Sequence, residues 1–145
     1  MAKVLVVDDN AGMRTAVRRT LVKVGHEVWD VPGGEEALRL LDIIPFDLVI
    51  TDVYMAAVDG MELLTRVQQR GRPIPVMVIS GGGHASADDV LDLATRCGAA
   101  ATLDKPFTPR QLREAVARAL ESSAAPPAPA TSLTGRPRGR PDRTP

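Results

Sequence analysis

Short apolar runs alternate along this chain with segments in which apolar residues recur every three or four positions. The runs predict buried strands, and the recurring positions predict helices that pack on those strands. Such strand and helix pairs follow one another without interruption. The predicted strands cover about residues 3–7, 26–31, 48–52, 75–79 and 99–103. The predicted helices cover about residues 10–24, 35–42, 61–69, 86–97 and 108–120.

This strict alternation predicts the architecture. Parallel strands need a crossover between them, which a helix normally provides, and right-handed crossovers place helices on both faces of the sheet. We therefore expect an α/β domain over residues 1–121, with a doubly wound, five-stranded parallel sheet of the (βα)5 type. We expect the strand order 2-1-3-4-5, which makes the first and third strands neighbours.

Two of the predicted helices begin with capping signals. The side chain of Asn10 is suited to accept a hydrogen bond from the free amides at the start of the first helix. Thr108-Pro109-Arg110-Gln111 combines an N-cap threonine, a proline at the first helical position and a glutamine that closes a capping box. In the fourth predicted helix, which ends at Gly98, we expect Cys97 to face the core as a small apolar side chain.

The composition changes at Ser122. Residues 122–145 hold six of the twelve prolines and have no hydrophobic periodicity. Such a segment buries too little apolar surface to offset its ordering entropy, so we expect a disordered tail rich in Pro, Ala and Arg. The tail carries four arginines against one aspartate, or +3, and because the whole chain is neutral, residues 1–121 carry −3.

The use of cysteine and the hydropathy of the chain indicate a compartment. A single cysteine excludes an intramolecular disulfide, which is compatible with reducing surroundings. The N-terminus shows no basic and apolar signal segment, and the chain has no apolar run of about 18 residues. We therefore expect a soluble cytoplasmic protein without membrane contacts.

Polar side chains follow four of the five predicted strands. Asp8-Asp9 follow the first strand, Asp52 ends the third, Ser80 follows the fourth, and Lys105 comes shortly after the fifth. The carboxyl ends of parallel strands meet at one edge of the sheet, and ligands of open α/β sheets bind at that edge. We therefore expect these side chains to converge there.

The expected cluster has a definite chemistry. Three carboxylates at one edge repel one another, and without compensation the pKa of at least one of them would rise. Asp8, Asp9 and Asp52 offer hard oxygen ligands without histidine or cysteine, which suits Mg²⁺ better than zinc. A hydroxyl from Ser80 and an ammonium from Lys105 complete a site shaped for a phosphoryl group. Asp52 would then be the nucleophile, and the product would be an acyl phosphate.

Residues 3–121 resemble the receiver domains of two-component response regulators, which are CheY-like domains with a flavodoxin-like sheet. The resemblance rests on five separated features, Asp8-Asp9, Asp52, Asp59-Gly60, Ser80 and Lys105-Pro106-Phe107. None of them is specific alone, but their joint placement in this order is highly specific.

The resemblance implies a phosphorylation-dependent signalling switch and not an enzyme that acts on other substrates. Asp52 would take a phosphoryl group from a sensor histidine kinase or a histidine phosphotransfer protein. Asp9, Asp52 and the backbone carbonyl of Tyr54 would bind Mg²⁺, with Asp8 assisting through water. A single-domain response regulator would then signal to an output protein through its fourth helix, fifth strand and fifth helix, or by phosphorelay.

The resemblance also assigns the remaining residues of the motif. Ser80 would hydrogen-bond the phosphoryl group, Lys105 would pair with it, and the bond between Lys105 and Pro106 would be cis. We expect Asp59-Gly60 to serve turn formation and give it no catalytic role.

Three positions depart from the family pattern. Thr102 stands where the family usually has an aromatic residue that moves on activation, so the signal must travel otherwise. Ala56 replaces a common proline, and the loop at Gly81–Gly83 is longer than usual. Our hypothesis is that phosphorylation orders this loop and the start of the fourth helix.

The tail offers an alternative function of another class. Arg138-Gly139-Arg140-Pro141 resembles an AT-hook, a segment that lies in the narrow minor groove of A·T-rich DNA. A DNA-associated regulator that uses Arg138 and Arg140 is therefore the main alternative, and we expect no nucleic-acid contact from the domain itself. An aspartyl-phosphate hydrolase is disfavoured, because Tyr54 stands where haloacid-dehalogenase-like phosphatases have a second aspartate. A flavin-binding flavodoxin would not need three acids at this edge.

Overall fold

The computed structural model describes residues 1–53, 59–70, 74–80 and 94–124. The strands are β1 (Lys3–Val7), β2 (Glu27–Val31), β3 (Leu48–Asp52), β4 (Val76–Ser80) and β5 (Ala101–Asp104). The helices are α1 (Ala11–Lys23), α2 (Gly34–Leu41), α3 (Gly60–Gln68) and α4 (Pro109–Ala124). Residues 94–96 are also helical and belong to the predicted helix 86–97, whose preceding residues lie outside the described part.

The five strands form one parallel sheet of order β2-β1-β3-β4-β5, which confirms the predicted fold class. The third strand ends at Asp52 as predicted. The fifth strand begins later than predicted, at Ala101. The physical reason lies in the preceding backbone, because the amide of Ala99 hydrogen-bonds back to the carbonyl of Ala94 at 3.0 Å and not to a neighbouring strand.

Two hydrophobic layers cover the sheet, because alternate residues of each strand point to opposite faces. Val4 and Val6 of β1 join a buried cluster with α1 and α4, whereas Leu5 and Val7 join a cluster with α2 and α3. All four side chains are buried. Helices therefore cover both faces, as a doubly wound sheet requires.

The predicted helix caps are confirmed. Oδ1 of Asn10 accepts a hydrogen bond from the Met13 amide at 2.9 Å at the start of α1. Oγ1 of Thr108 accepts a hydrogen bond from the Gln111 amide at 3.1 Å, and Oε1 of Gln111 accepts one from the Thr108 amide at 2.9 Å. These reciprocal bonds make the capping box of α4. The helix continues to Ala124, past residue 121.

The prediction for Cys97 is wrong, because its side chain is exposed. Residues 97 and 98 form a turn after the helical residues 94–96, and Gly98 has a positive φ of 102°. Because the helix ends before Cys97, this residue does not lie on the buried face that the helical spacing predicted. Ala94, one turn earlier, is buried.

None of the helices in the described part of the chain is long and apolar enough to cross a membrane.

Candidate functional site

The ends of four strands bring the predicted site residues to one edge of the sheet. Asp8 follows β1, Asp52 is the last residue of β3, and Ser80 is the last residue of β4. The parallel register places Asp52 beside Ile79 and Ser80 beside Asp104, which directly precedes Lys105. Residues that are far apart in the sequence therefore lie close together at this edge of the sheet.

Three carboxylates meet at this edge. Oxygen atoms of Asp8, Asp9 and Asp52 all lie within 4.8 Å of one another, so that they could hold one metal ion. Asp8 and Asp52 are buried, at 3% and 8% exposure, whereas Asp9 is exposed. The donor set consists of hard carboxylate oxygens with one side open to water, and this composition fits Mg²⁺.

The pKa of Asp8 is raised above its ordinary value of 3.8. Burial is the largest cause, and the charges of Asp52 and Asp9 raise the pKa further. The backbone hydrogen bond from Asn10 and the charge of Lys105 act in the opposite direction. The rise expected from crowded carboxylates is present, but desolvation contributes more to it than repulsion does.

Lys105 supplies the positive charge of the site. Its Nζ lies 3.1 Å from Oδ2 of Asp52 and 3.8 Å from Oδ2 of Asp8. The Lys105 amide donates to the carbonyl of Ser80 at 2.9 Å, which fixes the start of this segment to β4. The peptide bond between Lys105 and Pro106 is cis, as the resemblance implied. Residues far apart in sequence are thus joined by a direct ion pair.

Ser80 presents an unusual hydroxyl. The residue is fully buried, and among the described residues its Oγ has no hydrogen-bond partner. A buried hydroxyl without a partner costs stability, because it has lost its hydrogen bonds to water. Such a group at the edge of a site is suited to bind an incoming oxygen atom.

The backbone of Asp52 is held from two sides. Oγ1 of Thr51 donates to the carbonyl oxygen of Asp52 at 2.9 Å. Gly60, at the start of α3, donates from its amide to the carbonyl of Val53 at 2.9 Å and lies against the Asp52 carbonyl. Asp59 caps α3 by accepting from the Glu62 amide at 2.9 Å, and Gly60, which was predicted to lie in a turn, is the first residue of this helix.

Several predicted features lie outside the described residues. They are the Tyr54 carbonyl, Ala56, the loop at 81–83, the start of the fourth predicted helix, and the tail arginines Arg138 and Arg140. Their roles therefore stay predictions. Thr102 lies in β5 opposite Val78, and its side chain is partly buried.

Sequence reasoning missed one residue that contacts the site. Nη1 of Arg14, on α1, donates to the carbonyl oxygen of Asp8 at 2.7 Å, and its Nε pairs with Asp30 of β2. The helical pattern placed Arg14 one turn after Asn10, near the start of α1. The pattern did not show which way the guanidinium group points.

Comparison with known proteins identifies the family. A family model described as the response regulator receiver domain matches residues 4–117. The response regulator protein FleR of Pseudomonas aeruginosa is 41% identical over 117 residues, which cover 81% of this chain and 24% of FleR. The regulatory protein of alkaline phosphatase synthesis PhoP of Bacillus subtilis is 32% identical, over 83% of this chain and 49% of PhoP. The chain therefore spans from about a quarter to half the length of these two relatives.

Solved structures agree with the sequence relatives. A response regulator receiver domain protein from Clostridium thermocellum has a TM-score of 0.77 at 29% identity, covering 86% of this chain and 98% of that protein. The receiver domain of NtrX from Brucella abortus has a TM-score of 0.76 at 31% identity, over 82% of this chain and 98% of that domain. The residues matched by the family model, 4–117, include Asp8, Asp9, Asp52, Ser80 and Lys105. This chain therefore belongs to the family of response regulator receiver domains.

Proposed function

We propose that this receiver domain is a signalling switch that accepts a phosphoryl group on the carboxylate of Asp52. The observation that carries the proposal is the ion pair of 3.1 Å between Lys105 and Asp52, beside two further carboxylates of the same edge. The donor is a phosphohistidine of a sensor histidine kinase or of a histidine phosphotransfer protein, as membership of the family suggests.

The transfer is a displacement at phosphorus. An oxygen of the Asp52 carboxylate forms a bond to phosphorus, while the bond from phosphorus to the donor's imidazole nitrogen breaks. The electron pair of the broken bond stays on that nitrogen, and Asp52 becomes an acyl phosphate. Lys105 neutralises the oxygens of the incoming group, and the hydroxyl of Ser80 donates a hydrogen bond to one of them.

Asp8, Asp9 and Asp52 are the side chains that would hold Mg²⁺, together with the backbone carbonyl of Tyr54. The spacing of the three carboxylates and the burial of Asp8 support this assignment, because an anionic cluster without a cation resists a second anion. When bound, the cation offsets the repulsion between these carboxylates and the phosphoryl oxygens.

The output is carried by contacts with another protein or by onward transfer of the phosphoryl group. β5 and α4 pack together at the edge strand that also leads into Lys105. A change at Lys105 or Ser80 is therefore transmitted directly to β5 and β4. Thr102 stands where the family usually has an aromatic residue that moves on activation. The surface formed by β5 and α4 must therefore respond to phosphorylation without the movement of an aromatic side chain.

Intact mass spectrometry after incubation with acetyl phosphate and Mg²⁺ tests the proposal. The wild-type chain is expected to gain one phosphoryl group, and the gain is expected to vanish with Asp52→Asn or with a chelator. Asp104→Asn is a matched control, because Asp104 is an exposed carboxylate at the end of β5 on the same edge of the sheet. Equal labelling of wild type and Asp52→Asn would refute the assignment.

A further inference from the structure

We infer that Arg14, oriented by Asp30, is a positioning residue that fixes the Asp9 carboxylate within the acid cluster. The inference rests on the proposed function in one respect, because it takes the cluster of Asp8, Asp9 and Asp52 as the metal site. Arg14 acts through the backbone of Asp8, and the reacting oxygens belong to other residues.

The geometry of Arg14 supplies the first step. Its Nη1 donates to the carbonyl oxygen of Asp8 at 2.7 Å, and its Nε donates to Oδ2 of Asp30 at 3.2 Å. The side chains of Arg14 and Asp30 are only 18% and 24% exposed, so solvent screens this pair less than a surface pair. A charged donor at this distance makes a stronger hydrogen bond than a neutral one. The guanidinium group is thus clamped between β2 and the end of β1.

The carbonyl that Arg14 holds belongs to the peptide between Asp8 and Asp9. Asp8 has anchors of its own, because its amide donates to the Val31 carbonyl at 3.2 Å and its Oδ1 accepts from the Asn10 amide at 2.9 Å. Asp9 is exposed and lies beyond the end of β1. The orientation of this peptide sets the direction in which the Asp9 side chain leaves the backbone. By fixing it, Arg14 keeps the Asp9 carboxylate within reach of the other two.

Asp30 supplies the orientation of Arg14. It lies in β2 opposite Val6 of β1, and it contacts two arginines of α1. Arg18 approaches Oδ1 of Asp30 at 3.4 Å with 56% of its side chain exposed, whereas Arg14 takes Oδ2. Arg14 and Arg18 therefore share one carboxylate, but Arg14 also holds the Asp8 carbonyl. Arg18 offers a matched control for the loss of one positive charge from this network.

Positioning and simple electrostatics predict opposite results for metal binding. A cation near the cluster repels a second cation, so by charge alone the loss of Arg14 would tighten Mg²⁺ binding. If Arg14 positions Asp9, its loss weakens Mg²⁺ binding, because one ligand is no longer held in place. The variant Arg14→Lys keeps the charge but lacks the planar fork that reaches both the Asp8 carbonyl and Asp30.

Isothermal titration of the full chain with MgCl₂ tests the inference. We expect the Kd of Arg14→Lys to rise about tenfold, in line with the usual effect of residues that orient metal ligands. Asp30→Asn is expected to raise the Kd by a smaller factor, and Arg18→Gln is expected not to raise it, because the loss of a cation by itself favours Mg²⁺ binding. A Kd of Arg14→Lys equal to that of wild type, or a rise of the same size in Arg18→Gln, would overturn the inference.

A second readout does not depend on metal binding. ¹⁵N relaxation of the metal-free chain is expected to show that the Asp9 amide loses order in Arg14→Lys and keeps it in Arg18→Gln. If wild type bound no Mg²⁺, the proposed function would fail separately, and the Asp9 amide would still decide the role of Arg14. Unchanged order at Asp9 in Arg14→Lys would refute that role.

Discussion

Replacing Gly60 by alanine is predicted to destabilise the domain and to disturb Asp52 at the same time. A Cβ at position 60 would overlap the carbonyl oxygen of Asp52 and would lie 2.8 Å from Cα of Val53. These neighbours are backbone atoms and not the ends of flexible side chains. Val53 is tied to β4, because its amide donates to the Ile79 carbonyl at 3.1 Å. The strand end therefore cannot move away without breaking a hydrogen bond of the sheet.

Two opposing contributions set the size of the effect. Overpacking of a close contact costs about 1–3 kcal/mol, and the immobile backbone of Val53 places this site at the upper end. Removing a glycine from the unfolded chain stabilises the fold by about 0.4–1 kcal/mol when the new residue fits. The clash exceeds this gain, so we expect Gly60→Ala to lower the free energy of unfolding by about 2 kcal/mol.

Urea denaturation of the metal-free chain measures this loss. Gly12→Ala is the control, because Gly12 also lies in the first turn of a helix and an added Cβ would meet only Oδ1 of Asn10, at 3.3 Å. We expect the control to change the stability by less than about 1 kcal/mol. Gly60→Ala is also expected to slow labelling by acetyl phosphate, since the displaced carbonyl belongs to Asp52. If Gly60→Ala were as stable as wild type, the close approach of Gly60 to Asp52 would be refuted.

Three further predictions follow from the site and from the capping box. Because the pKa of Asp8 is raised in the folded chain, the stability linked to its protonation is present below pH 3.8 and is lost as the pH rises through the raised pKa. Metal-free Asp8→Asn is therefore expected to be more stable than wild type at neutral pH, with a difference that shrinks on acidification; a constant difference in urea midpoints would contradict this. Ser80→Ala removes an unpaired buried hydroxyl, so its unfolding free energy should not fall, while its phosphorylation should slow; a marked loss of stability would show that Oγ has a partner. Thr108→Ala should cost about 1 kcal/mol by loss of the bond to the Gln111 amide, and an unchanged thermal midpoint would argue against the cap.

The sheet edge was predictable from sequence because its determinants are local. Four of the five strands end where an apolar run meets a polar residue, and the parallel topology then brings those ends together. Asp52 and Lys105 could be assigned to one site in this way, although they lie 53 residues apart in the sequence. The ion pair of 3.1 Å confirms the proximity that the strand order required.

Contacts that depend on the rotation of a helix or on a close backbone approach were beyond the sequence pattern. Arg14 reaches the Asp8 carbonyl only because α1 presents it towards β2, and helical spacing does not fix that direction. Gly60 was predicted only as a turn residue. The structure shows that a side chain at this position would clash with the Asp52 carbonyl at the start of α3, and sequence spacing does not reveal such a contact. Cys97 had been assigned to the core by extending a helical period that ends before it.

Locating the phosphoryl group on the chain tests the assignment of Asp52 most directly. After incubation with acetyl phosphate and Mg²⁺, borohydride converts an aspartyl phosphate into homoserine, and peptide mass mapping then identifies the modified position. A single modified residue, Asp52, is expected, with no modification at Asp8 or Asp9. Modification at another residue, or an unmodified Asp52 in a chain that still binds Mg²⁺, would contradict this assignment.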